Sequence, residues 1–248
     1  MFTKLTAVVF TLVLVAGLPA LSYATARSRE VRLLPRRGLY LSAVFSQWLL
    51  TALAAGVVFL VARHVFVRGF AVMPWRAALG WGVGIAAAAL LGLSLAVGWE
   101  RRGWLPRESE LVYRLIPETP REKLWAVFIV APTAALCEEF LYRGYLLAQM
   151  RDWLHSLGWA WVAASVAFGL AHCYQGWSGM VRAGLLGALL AWPVTRWGSL
   201  YPAMLAHWII DCVALVWLGR WMMRRDSSRP PANATTSYAP PSETGSSL

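Results

Sequence analysis

Seven apolar runs, at roughly 5–26, 39–62, 77–98, 124–148, 157–173, 179–195 and 199–219, constrain this chain more than any other feature. Crossing about 30 Å of hydrocarbon takes roughly 20 helical residues, and most of the runs reach or approach that length. In hydrocarbon each backbone N–H and C=O must find its partner inside the protein, which a helix provides within one segment. The expected fold is therefore all-α, a polytopic transmembrane helical bundle of about seven spans. The fifth and sixth runs are short, and no soluble domain is visible between runs. The composition agrees, with 58% hydrophobic and 14% charged residues. Fifteen tryptophans suit the two interfaces of a bilayer. Three regions follow: N-terminal membrane helices and loops over 1–122, a polar-motif region over 123–219, and a tail over 220–248.

A net charge of +11 raises the question of a nucleic-acid partner. The arginines answer it by clustering in short loops between apolar runs, as the positive-inside rule expects, so no nucleic acid is expected. The loops after the first, third and fifth runs, with the tail and with Arg182 near the start of the sixth run, hold 16 of the 23 Lys and Arg. That bias places the N-terminus outside and the C-terminus in the cytoplasm. The first run ends in Ala24-Thr25-Ala26, which resembles a signal-peptide cleavage site. It is longer than a signal core, and five arginines follow between Arg27 and Arg37, as in a retained anchor. The longest loop, Trp99 to Lys123, has room for an amphipathic piece at Leu111–Leu115. The tail from Asp226 is rich in Ser, Pro and Thr and is expected to be disordered. The sequon at Asn233 is a chance match in a cytoplasmic tail, and the C-terminus is no prenylation signal. Gly80-x-x-x-Gly84 predicts close helix packing. Three cysteines, Cys137, Cys173 and Cys212, form neither a disulfide framework nor a zinc ribbon by count and spacing. Each adjoins a motif residue, and small apolar packing accounts for them.

A charge near the bilayer centre costs about 2.5–3.5 kcal/mol on insertion scales, so intramembrane ionisable residues serve a purpose. Three stretches hold most of them: Glu138, Glu139 and Arg143 in the fourth run, Phe168 to His172 in the fifth, and His207 to Asp211 in the seventh. Glu139 and Arg143 stand four apart, share a helix face and can form a structural ion pair. Glu138 points about 100° away and has Tyr142 at i+4, so it has no helical ion partner. A carboxyl in such a setting suits a general base. His207 and Asp211 are again four apart, a spacing that lets a carboxylate orient an imidazole. His64 and His155 fall in loops.

These stretches resemble the E-E-x-x-x-R, F-x-x-x-H and H-x-x-x-N/D motifs of the CAAX protease and bacteriocin-processing family, which includes the type II CAAX prenyl endopeptidase. Glu138 to Arg143 fit the first, Phe168 and His172 the second, and His207 and Asp211 the third. The resemblance covers roughly Glu118 to Trp217. It implies an intramembrane endopeptidase acting on a membrane-associated peptide or protein. By the family's glutamate-type mechanism it implies water activation by Glu138 and His172, and oxyanion stabilisation by His207 and Asp211. Asp211 departs from the Asn of the prenyl endopeptidase. An ionised Asp cannot donate to an oxyanion, so Asp211 is either protonated or orients His207; the spacing favours orientation.

No cofactor is expected on this reading. The rival within the enzyme class is a catalytic zinc held by His172, His207 and either Glu138 or Asp211, although H-E-x-x-H is absent. Outside it stand a non-catalytic scaffold or immunity protein and a proton-coupled transporter, the latter without the expected inverted repeat. The Ala-, Arg- and Trp-heavy composition suggests a bacterial inner-membrane protein, for which prenylated substrates are not expected.

Overall fold

The structure, a computed structural model, describes residues 2–61 and 70–219. His64, the tail from Asp226 and the Asn233 sequon lie outside the described residues. Among the described residues nine helices make up the fold, and the strand-like pairing is an isolated bridge between Phe70 and Ser199. The helices are α1 (Leu5–Arg27), α2 (Arg29–Leu33), α3 (Arg36–Val61), α4 (Trp75–Arg101), α5 (Glu110–Leu115), α6 (Pro120–Leu154), α7 (Leu157–Ala171), α8 (Trp177–Trp197) and α9 (Tyr201–Leu218). Each of the seven apolar runs becomes a helix. Five of these, α1, α3, α4, α6 and α9, have the length and hydropathy of a membrane span. α7 is only 15 residues long, and α8 carries Arg182, Pro193 and Arg196 along an otherwise apolar 21-residue helix.

Phe45, Phe59, Leu91, Phe128, Leu185 and Trp217 stand exposed on the helices. So much outward apolar surface is stable against acyl chains, and the chain is an integral membrane protein. Inside, one cluster joins Phe10 and Leu14 of α1, Val57 and Val58 of α3, Tyr145 of α6 and Phe168 of α7. A second joins Ile85 and Ala86 of α4 to Leu190 of α8 and Ala203, Ala206 and Ile210 of α9.

Local chemistry sets the helix ends. Thr119 accepts the Glu122 N–H, and the Glu122 carboxylate accepts the Thr119 N–H, with Pro120 opening α6. Arg36 at the start of α3 reaches Glu118 at 2.8 Å, Glu122 at 3.0 Å and the Arg114 carbonyl at 2.9 Å. Ser156 caps α7, and Gly198, in the left-handed region at φ 67°, ends α8.

Helix contacts depend on small residues, though not at Gly80 and Gly84. A Cβ at either meets nothing within 4 Å. The close approach is at Gly82, where a Cβ would come within 2.8 Å of Leu205 on α9. Between α7 and α8 the backbones themselves approach: a Cβ on Gly169 would lie 2.9 Å from the Met180 carbonyl and 3.1 Å from Gly184 Cα. The loop from 102 to 109 is fastened to α8 by an ion pair between Glu108 and Arg182, with Glu100 at 3.8 Å from the same guanidinium. That ionic group is buried, and the amphipathic piece expected in this loop is α5.

Candidate active site

Within α6 the regular hydrogen-bond ladder gives way to π-helical turns over Glu139–Leu146, and the Leu147 N–H reaches back five residues to the Tyr142 carbonyl. Such wide turns recur at functional sites because they re-aim side chains within a continuous helix. Here the change begins between the two glutamates.

Glu139 is fully buried. Its Oε1 accepts from Arg143 Nη1 at 3.0 Å, the i,i+4 pair read from the sequence. The same oxygen lies 2.7 Å from His207 Nδ1 on α9. Arg143 also lies over the Phe168 ring, its Cζ 4.1 Å from the centroid, so the pair is packed as well as bonded.

Glu138 faces elsewhere. Its Oε1 accepts from Gln47 Nε2 of α3 at 2.6 Å. Its Oε2 is buried and accepts no hydrogen bond among the described residues. That oxygen lies 3.7 Å from His172 Nε2 and 3.9 Å from His207 Nε2. His172 ends α7 as its C-cap and is clamped on its other side, with Nδ1 2.7 Å from the Phe168 carbonyl. A carbonyl only accepts, so Nδ1 carries a proton and a neutral His172 presents its Nε2 lone pair toward Glu138. The Phe168 ring packs against His172 at 4.5 Å and against His207 edge-on at 6.3 Å.

Asp211 Oδ2 lies 3.6 Å from His207 Nε2, beyond hydrogen-bond length, and its side chain is 28% exposed. The i,i+4 spacing predicts that Asp211 orients His207. In the structure the hydrogen-bonded carboxylate on that ring is Glu139, and it engages the opposite nitrogen.

The sequence-predicted residues Glu138, Glu139, Arg143, His172, His207 and Asp211 thus come together from three helices. Gln47 joins them without having been singled out; a lone amide in an apolar run was its only signal. Two further residues brace the turn after His172: Ser22 of α1 accepts from the Tyr174 N–H at 3.2 Å, and Ser109 Oγ donates to the Tyr174 carbonyl at 2.5 Å. The cysteines do not meet. Cys137 is buried, Cys173 reaches Pro19 and Ser22, and Cys212 faces the Val127 carbonyl. Among the described residues no group of three His, Cys, Asp or Glu side chains is arranged to hold a metal ion.

Residues 120–213 match the family model described as Rce1-like, type II CAAX prenyl endopeptidase Rce1-like. The matched stretch contains all three motifs. No curated protein and no solved structure gives a significant match.

Proposed function

We propose that this chain is an intramembrane endopeptidase of the CAAX-protease type, hydrolysing a peptide bond in a membrane-associated peptide or protein with water activated by Glu138 and His172. The match of residues 120–213 supports a protease at the level of the family. The observation that carries the mechanism is the meeting of Glu138 Oε2, His172 Nε2 and His207 Nε2 at separations of 3.7 and 3.9 Å. Polar atoms that far apart are suited to sharing a bridging water.

A water between Glu138 and His172 meets two acceptors for its protons. As its oxygen attacks the scissile carbonyl carbon, one proton passes to Glu138 and the carbonyl oxygen becomes an oxyanion. His207 Nε2 is the donor in reach. Donation requires a proton on Nε2; with Nδ1–H given to the Glu139 carboxylate, the donating ring carries a proton on each nitrogen. Preorganised donors of this kind are worth about 2.7–4 kcal/mol each. Glu138 then returns its proton to the departing amine as the C–N bond breaks. Glu139 holds His207, and Asp211 contributes charge; neither acts as a base. The reaction runs without a metal, and the substrate needs no prenyl group.

The test is cleavage of an internally quenched library of amphipathic peptides by the purified protein in detergent. Wild type cleaves and Glu138→Gln does not. A wild type and a Glu138→Gln protein of equal activity would overturn the proposal.

A further inference from the structure

Gln47 lies on α3, outside the matched stretch, and its amide donates a 2.6 Å hydrogen bond to Glu138. Taking Glu138 as the base proposed above, we infer that Gln47 is the positioning residue for that base: it holds Oε1 so that Oε2 faces the two imidazoles. The direction of the bond follows from chemistry, since an ionised carboxylate only accepts and the amide must present its Nε2. At 2.6 Å it has the length of a charge-assisted bond. Glu138 otherwise faces His172 and His207, with Glu139 and Arg143 on its own helix and Asp211 beyond His207. None of these donates a hydrogen bond to Oε1. Without the amide the carboxylate is free to rotate about its terminal torsion, and either oxygen, or neither, addresses the site.

A purely structural role for the amide is the alternative, since α3 and α6 are also joined one position along. Trp48 Nε1 donates to Thr133 Oγ1 at 3.2 Å. That neighbour supplies the control. A general base needs its reacting oxygen fixed within about half an ångström, and a hydrogen bond to the other oxygen supplies such support. A bond that merely joins helices has no effect on the carboxylate.

The experiment uses the full chain in detergent. The Glu138 carboxylate stretch is identified in the infrared as the band lost in Glu138→Gln. Gln47→Met keeps length and packing and removes the donor. It should displace that band, and it should lower kcat for a cleaved library peptide at least tenfold with KM unchanged. Trp48→Phe should lower thermal stability while leaving both the band and kcat in place. An unmoved band in Gln47→Met overturns the inference, as does a moved band with unchanged kcat. The band is read without substrate. A wild type that cleaves no peptide therefore sinks the protease reading alone, while the band still decides whether Gln47 governs Glu138.

Discussion

Glu138 and Glu139 are adjacent in the chain and stand in opposite settings. Glu139 carries a cation and an imidazole on one oxygen at complete burial, so its charge serves the fold and the ring it holds. Glu138 has a single amide partner and an oxygen turned to two histidines. Glu138→Gln should therefore abolish hydrolysis with the melting temperature nearly unchanged. Glu139→Gln should lower stability, because breaking a buried ion pair costs about 3–5 kcal/mol. Thermal melts of the two purified variants check this, and equal destabilisation would refute the division. His207→Ala should cost on the order of 10²–10³ in kcat, the usual loss for one oxyanion donor. Asp211→Asn should cost less than about tenfold, about 1.4 kcal/mol, because Glu139 already fixes the ring. Kinetics of both variants on one cleaved peptide test the order. The sequence exposed Glu138, His172 and His207 because charge within an apolar run is expensive. It hid the Glu139–His207 contact, since spacing reports only neighbours on the same helix, 68 residues from the partner in this case.

At the scale of helices, packing is set by where backbones approach rather than by a small-residue pattern. The G-x-x-x-G spacing at Gly80 and Gly84 pointed to the right helix and the wrong face: Gly82, between them, receives Leu205. Gly84→Ala should leave the melting temperature unchanged. Gly82→Val and Gly169→Val should each destabilise by about 1–3 kcal/mol, the usual cost of overpacking, and Gly169 the more, because its neighbours are backbone atoms that cannot swing aside. Melting temperatures in one detergent rank the three. The π-helical turns at Glu139–Leu146 had no signature in the sequence, because hydrophobic periodicity does not distinguish a few wide turns inside a long apolar run. The start of α6, by contrast, was written locally in Thr119, Pro120 and Glu122.

For the whole molecule, the seven apolar runs mapped onto seven helices because hydrocarbon leaves a long apolar segment few alternatives. The loop clamp at Glu108 and Arg182 was not legible, since it joins residues of opposite charge that are 74 positions apart in a chain with many arginines. Two properties belong at this scale. Activity should survive strong chelators, and elemental analysis of the purified protein should find no stoichiometric metal; one tightly bound ion whose removal and return switch activity would establish the zinc mechanism instead. The bias of the loop charges predicts that Arg29 lies in the cytoplasm. A cysteine at this exposed position should react with an impermeant thiol reagent only after the cells are opened, and labelling of intact cells would show the inverted topology.

Tyr174, beside His172, is braced from α1 through Ser22, while His207 arrives only with α9. Two helices far apart in the chain, α1 and α9, are thus both needed to complete one constellation. A chain still being inserted has Glu138 but lacks the imidazole opposite it, and holds Glu139 and Arg143 paired without their third partner. On the proposed mechanism such a partial chain cannot cut the segments that pass beside it. Cleavage by that proposed mechanism waits for α9, a consequence of the order of the helices.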